Sequence, residues 1–318
     1  MQSIIHPPSL RQLRHLVALA DQAHFGRAAA ACHVTQSTLS ASVIALERLL
    51  GAALVDRTSR KVVLTAHGAE VVERARRLLL DAADLVLAAR AGAEPLAGLL
   101  RLGVIPTIGP FLLPGVLRRL RRRFPKLQLY LREDLTDRLI ALLDKGDLDL
   151  ALIALPYDAP SVQTLTLFDD GFLLAARKDH RLARARRARS ADLAGESLLL
   201  LAEGHCMRGH ALSACRLPRR AETASLEATS LLTLVQMVEN GLGVTLLPQL
   251  AIDAGILRGT ALVTRPLEAN AEKREIGLAW RKGTRRADEF RQLGAAIAEL
   301  HRGRRLEMKQ QENRSSND

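Results

Sequence analysis

Three cysteines in 318 residues are too few for a disulfide framework, and so sparse a usage fits the reducing cytoplasm. No apolar run reaches the ~20 residues that a membrane span needs, so no membrane partner is expected. The opening stretch MQSIIHPPSLRQL has neither the apolar core nor the cleavage site of a secretory leader. Close CxxC pairs are missing too, which argues against structural zinc. Acidic side chains are outnumbered, 34 against 46 Lys and Arg, leaving a net charge of +12. What is present is the composition of a soluble globular protein, 48% hydrophobic and 25% charged, with room for two or three compact units.

The excess of positive charge favours a polyanionic partner. The first 66 residues carry +4 and the remaining 252 carry +8, so charge density is about twice as high at the N-terminal end. Two arginine clusters elsewhere, Arg118–Arg123 and Arg184–Arg189, read as solvated faces. In the N-terminal stretch, Leu10, Leu13, Leu16, Val17 and Ala20 recur at helical spacing. A short alanine-rich helix follows, then the tight turn His33-Val34. Thr35 is a good N-cap for a third helix whose Leu39, Val43, Leu46 and Leu50 face inward. Its N-terminal end presents Thr35, Gln36, Ser37, Thr38 and Ser40, side chains able to reach bases or phosphates. This is a helix-turn-helix with double-stranded DNA as its partner. The run AALVDRTSRKVVLT then forms a basic wing around Arg57, Arg60 and Lys61. Cys32 falls on the inward face, a core position.

From Thr65 a long helix places Val71, Ala75, Leu78, Ala82, Leu85 and Ala89 in a heptad-like seam, which reads as a dimer-forming linker. Beyond Gly98 strands alternate with helices, the pattern of mostly parallel sheets. The expected fold is multi-domain. An all-α winged helix-turn-helix occupies 1–66 and a dimerising linker helix and hinge 67–96. Two α/β subdomains resembling a periplasmic-binding-protein fold fill 97–305, subdomain I over about 97–169 and 275–305, subdomain II over about 170–274. The last helix is expected over Ala287–Leu300, and residues 306–318 as a disordered tail.

The chemistry concentrates in LLLLAEGHCMRGHALSAC, Leu198 to Cys215. A buried strand ends in a polar turn that delivers His205 and Cys206 to the start of a helix. Both His205 and Arg208 are able to place positive charge near the sulfur, which favours a thiolate. If the segment is helical, nine steps of ~1.5 Å separate Cys206 from Cys215 by roughly 13 Å, whereas a disulfide needs Cα atoms within about 7 Å. The pair therefore never bonds, or bonds only after the segment refolds, which would make it a switch. Two other readings stay open: buried cysteines acting as small hydrophobes, and zinc held by His205, Cys206, His210 and Cys215.

Residues 10–68, with HFGRAAAACHVTQSTLSASVIALERLLGAALVDRTSRKVVLTAHG, resemble the DNA-binding domain of LysR-type transcriptional regulators. The similarity runs on to about residue 300. It is nearest to the peroxide-responsive members, on RTSRKV at Arg57–Val62, GVIPTIGPFLLP at Gly103–Pro114, FPKLQLYL at Phe124–Leu131, EGHCMRGHALSAC at Glu203–Cys215, ATSLLTL at Ala228–Leu234 and GVTLLP at Gly243–Pro248. The resemblance implies that Cys206 is the peroxide-reacting thiolate and Cys215 the resolving cysteine. It also implies a peroxide pocket of Thr107, Thr136, His205, Arg208 and Arg281. A homotetramer built as a dimer of dimers, RNA polymerase as a partner, and glutaredoxin or thioredoxin as reductant follow from it too. One departure stands out: Gly209 occupies a position commonly acidic in the family.

The expected function is a DNA-binding regulator of oxidative-stress genes that senses hydrogen peroxide through a reversible Cys206–Cys215 disulfide, without a cofactor and not an enzyme. One rival is a LysR-type regulator that binds a small metabolite in the cleft between the subdomains. Another is a thiol peroxidase with a DNA-binding head, for which the sequence offers no reductant docking site.

Overall fold

The structure is a computed structural model that describes residues 7–56, 62–90, 96–193, 195–216, 223–269 and 271–315. It forms two compact units, 1–92 and 93–318. The first begins with α1 (Leu10–Gln22), α2 (Phe25–Ala31) and α3 (Gln36–Leu50), whose Leu13, Leu16, Leu19, Ala28, Leu39, Val43 and Leu46 close a shared core. Ser9 caps α1 in a reciprocal box with Gln12, and the Thr35 hydroxyl caps α3 by accepting from the Thr38 amide, each cap stabilising its helix by about 1 kcal/mol.

The wing consists of β1 (Val55–Asp56) paired antiparallel with β2 (Val63–Leu64). Glu47 of α3 anchors it, its Oε1 accepting from the amides of Leu54 at 2.9 Å and Val55 at 3.1 Å. Helix α4 (Ala66–Arg90) starts against this wing. Gly68 is required there, because a Cβ would stand 2.0 Å from the Leu54 carbonyl oxygen. The expected seam of α4 is divided. Val71 and Ala75 pack with Val72 and Leu79 into the core of their own unit, whereas Leu78, Leu85 and Val86 stay exposed. Only the distal part is therefore free for a second helix. The physical reason is α1, whose apolar face covers the first turns of α4.

Among the described residues the second unit holds two five-stranded sheets. One has the order β4-β3-β5-β12-β6, from β3 (Gly98–Val104), β4 (Leu127–Glu133), β5 (Leu150–Leu155), β6 (Val162–Asp170) and β12 (Arg274–Arg281). The other has the order β11-β7-β10-β8-β9, from β7 (Phe172–Arg177), β8 (Leu198–Leu201), β9 (Thr223–Ala228), β10 (Val244–Pro248) and β11 (Leu262–Pro266). Strand β5 is buried at all six positions, as expected for an interior strand flanked by helices. The helices are α5 (Gly109–Arg123), α6 (Thr136–Lys145), α7 (Ser190–Leu193), α8 (Cys206–Ala214), α9 (Leu231–Glu239), α10 (Gln249–Asp253) and α11 (Ala287–Ser315).

Two expectations are corrected. The sheets are mixed rather than mostly parallel: β12 runs antiparallel to β5 and β6, and β7 antiparallel to β10 and β11. The cause is the double crossing of the chain, from β6 to β7 through Gly171 and back from β11 to β12, which reverses the incoming strands. Residues 306–315, expected to be disordered, continue α11 to Ser315. Past Gly303 the run RRLEMKQQE holds good helix formers and no Gly or Pro, so nothing local stops the helix.

Candidate functional site

Cys206 is the first residue of α8, behind His205 as the N-cap, and is half-buried. Thr136, the first residue of α6, directs its hydroxyl at the sulfur, with Oγ1 3.6 Å from Sγ. Two helix N-termini, each with partial positive charge, thus meet at the thiol. A void of about 10 Å³, lined by Ile105, Thr107, Leu135, Thr136, His205, Cys206 and Met207, lies against the sulfur's residue. Its size is that of one water. On another side Cys206 borders a polar cleft of about 620 Å³, whose walls include Glu203, His205, Arg208, His210, Ser213, Glu272 and Lys273.

Thr107 is held by a buried ion pair. Arg274, wholly inaccessible, donates from Nη1 to Thr107 Oγ1 at 2.9 Å and from Nη2 to the Thr107 carbonyl at 3.1 Å. The same guanidinium donates twice to Asp170 Oδ2, at 3.0 and 2.8 Å, while Asp170 Oδ1 accepts from the Leu250 amide at 2.9 Å. A desolvated charge pair needs such complete hydrogen bonding to be tolerated.

The structure brings Thr107, Thr136, His205 and Cys206 around one void, but not Arg281. Arg281 sits at the far end of β12, opposite Val162, while Arg274 at the near end pairs with Asp170. Seven strand steps of ~3.3 Å part them by roughly 23 Å. The arginine at this site is Arg274, which the sequence reading missed; two arginines flank one apolar strand, and nothing local says which end meets the pocket. Arg208 lines the larger cleft beside His205 and Cys206 and not the small void. Its Nη1 donates to Glu227 Oε1 at 3.1 Å and to the Leu201 carbonyl at 3.3 Å, so its charge is neutralised. Burial lowers the pKa of His205 and favours the neutral ring. The two helix N-termini place partial positive charge at the sulfur, and His205 adds none in its neutral form. Close by, Tyr157 donates to Asp137 at 2.6 Å. Burial, Asp137 and the charge of Cys206 push its phenol up to about 12.

Cys215 closes the other end of α8 as its C-cap, buried to 2%. Burial first, and Glu268 second, push its thiol up to about 12. All three cysteines are free thiols. Among the described residues no group of three or more His, Cys, Asp or Glu is arranged to hold a metal ion, and no helix is long and apolar enough to cross a membrane.

Residues 93–302 match the LysR substrate binding domain, and residues 10–69 match the bacterial regulatory helix-turn-helix proteins of the lysR family. The chain belongs to the LysR family of transcriptional regulators. Among its relatives, this LysR-type chain is 42% identical to the DNA-binding transcriptional dual regulator OxyR of Escherichia coli K12, over 91% of this chain and 94% of that one. It is 44% identical to the HTH-type transcriptional regulator EstR of Acinetobacter baylyi, over 89% and 94%. A full-length OxyR cysteine variant from Pseudomonas aeruginosa superposes with a TM-score of 0.74 at 38% identity, covering 92% of this chain and 95% of that one. A Corynebacterium glutamicum OxyR cysteine-to-serine variant with hydrogen peroxide bound gives 0.65 at 34% identity, covering 94% of each.

In the helix-turn-helix of this LysR-type chain, Thr35, Gln36, Ser37 and Thr38 are exposed at the start of α3 and Ser40 is half-buried. The Thr35 hydroxyl contacts those of Ser37 at 2.9 Å and Thr38 at 2.8 Å, so part of the polar end organises itself. Arg57, Arg60 and Lys61 lie outside the described residues. Cys32 is buried, and burial raises its pKa, as befits a core thiol.

Proposed function

We propose that this LysR-type regulator senses hydrogen peroxide at Cys206 and controls genes of oxidative defence. The observation that carries the reading is the water-sized void at Cys206, with the Thr136 hydroxyl 3.6 Å from the sulfur. A small outward movement of its walls admits a two-oxygen molecule. The Cys206 thiolate attacks one peroxide oxygen, the O–O bond breaks, hydroxide leaves, and the sulfur becomes a sulfenic acid. The Cys215 thiol then condenses with it, forming the disulfide and releasing water. Nine helical steps keep the two Cα atoms roughly 13 Å apart, so the bond requires α8 to unwind. Two electrons from a thiol reductant, glutaredoxin or thioredoxin, restore the helix.

The unwound segment would bias a two-state assembly of the regulatory units and so alter how the DNA-binding heads grip the promoter. The assembly is a tetramer, a dimer of dimers, whose linker contact uses the exposed Leu78, Leu85 and Val86 of α4. It works in the cytoplasm, with RNA polymerase as its partner, and is not an enzyme. Peptide mapping after brief, low peroxide tests the switch: the expected product is one intramolecular link between Cys206 and Cys215, with Cys32 free. A link to Cys32, or no oxidation at Cys206, removes the reading.

The cleft of about 620 Å³ supports a second reading, a metabolite-responsive regulator, because it is far larger than peroxide requires. A ligand-induced rise in melting temperature in a Cys206→Ser, Cys215→Ser variant would favour it.

A further inference from the structure

Helix α8 lies between the two sulfurs, and its local chemistry differs from that of its neighbours. The hydroxyls of Thr35 and Ser230 cap α3 and α9. Gly51 and Gly146 take the left-handed position that ends α3 and α6. Asp137 and Lys145 place charges of the favourable sign at the two ends of α6. Among the described residues α8 has none of these. Its N-cap, His205, makes no side-chain hydrogen bond to the helix, its first turn holds no acidic residue and its last no basic one. Just past its end Arg216 adopts φ +53°, a left-handed conformation that glycine takes far more readily.

Gly209 stands in the middle of this helix. Apart from proline, glycine is the least favourable residue in a helix interior. Crowding does not require it, because an added Cβ would meet nothing within 4 Å. Backbone conformation does not require it either, since its φ is not positive. Nine residues are too few to stand as a helix on local propensity. What holds α8 is its buried side, Met207, Ala211, Leu212 and Ala214.

We propose that Gly209 sets the ease of the disulfide-forming step, by weakening the helix that keeps Cys206 and Cys215 apart. The inference rests on the peroxide-switch reading. In the step concerned, the Cys215 sulfur attacks the Cys206 sulfenic sulfur and the S–S bond forms. The S–O bond breaks, and its oxygen leaves as water with the proton of the Cys215 thiol, so no further oxidant is consumed. The segment has to open before the sulfurs meet, and a less stable helix is open for a larger fraction of the time. An alanine at 209 strengthens the closed helix without altering either sulfur.

The test compares the full-length wild type with Gly209→Ala, Gly209→Gln and Gly209→Glu. After peroxide, Gly209→Ala should form the Cys206–Cys215 link about fivefold more slowly, the equivalent of the Gly-to-Ala difference in helix propensity. The rate at which Cys206 consumes peroxide should stay the same. In a thiol redox buffer the same fivefold change should raise the midpoint potential by about 20 mV. Amide exchange over His210–Ala214 of the reduced protein should slow by a similar factor. The glutamine and glutamate variants have nearly equal propensity and should match each other. A link that forms equally fast in wild type and Gly209→Ala overturns the proposal. So does a change confined to Gly209→Glu, which would assign the position to a charge effect on the sulfur. A wild type that forms no such link removes the peroxide-switch reading, and the proposal with it.

Discussion

At the N-terminal end of α8, Cys206 is half-buried, faces the Thr136 hydroxyl and borders both a void and an open cleft. At the C-terminal end, Cys215 is 2% exposed and its thiol is pushed up to about 12. One side chain in two surroundings thus has two chemistries: the first end is accessible and placed among hydrogen-bond donors, the second is kept protonated and out of reach. The contrast teaches that the order of oxidation is set before any oxidant arrives. Cys215 becomes useful only once the helix that hides it has come apart.

The largest expected effect breaks the contrast outright. Cys206→Ser should abolish the response to peroxide while leaving DNA binding intact. Cys215→Ser should still oxidise at Cys206 but stop at sulfenic acid or a mixed disulfide, as intact-mass measurement would read. Equal loss of oxidation in both variants would mean that the two ends are not different in kind.

Next in size is Arg274→Ala, which strands Asp170 as a buried charge. Breaking such a pair costs about 3–5 kcal/mol, a melting-temperature drop of roughly 10 °C for a unit of this size. It should also release Thr107 and slow oxidation at Cys206, leaving Cys215 as unreactive as before. Arg281→Ala should change neither property by a comparable amount, and the pair of variants separates the two ends of β12.

A smaller effect is expected from Thr136→Val, which keeps shape but removes the hydroxyl beside the sulfur. A hydrogen bond of about 1 kcal/mol corresponds to an oxidation rate about fivefold lower, measurable by stopped-flow. An unchanged rate would deny the N-terminal end its special surroundings.

The smallest effect concerns alkali. The folded pKa of Cys215 is about 12 against an ordinary 9.0, so between these values the unfolded chain releases a proton that the folded chain keeps. Stability from this burial is complete below about pH 9 and falls as pH rises toward 12. Cys215→Ala should flatten that alkaline decline in a melting-temperature profile. An unaltered decline would show that Cys215 is not buried in solution.

The sequence exposed much of this arrangement because periodicity and caps are local. Thr35 caps α3 as expected, strands alternate with helices beyond Gly98, and β5 is a continuous apolar strand. The 206–215 segment is helical, which makes its separation of the two sulfurs readable from spacing alone. Other features depend on contacts distant in the chain. Asp170 and Arg274 are 104 positions apart, and each looks like an ordinary charged residue at a strand end. The neutralisation of Arg208 by Glu227 required the register of β9 beside β8. The mixed direction of the sheets followed from where the chain crosses, which no stretch of sequence announces.

The buried Arg274–Asp170 pair has a mechanical consequence. Asp170 ends β6 and Arg274 begins β12, so the pair clamps the outgoing and returning crossings between the two sheets to each other. Its additional bonds to Thr107 and to the Leu250 amide extend the clamp to the loop after β3 and the start of α10. Scissoring the sheets apart would require both crossings to slip and a desolvated charge to be exposed. On the proposed switch, this joint would leave little slack in which an unwinding of α8 could dissipate, and the displacement would pass to the outer surface of the unit.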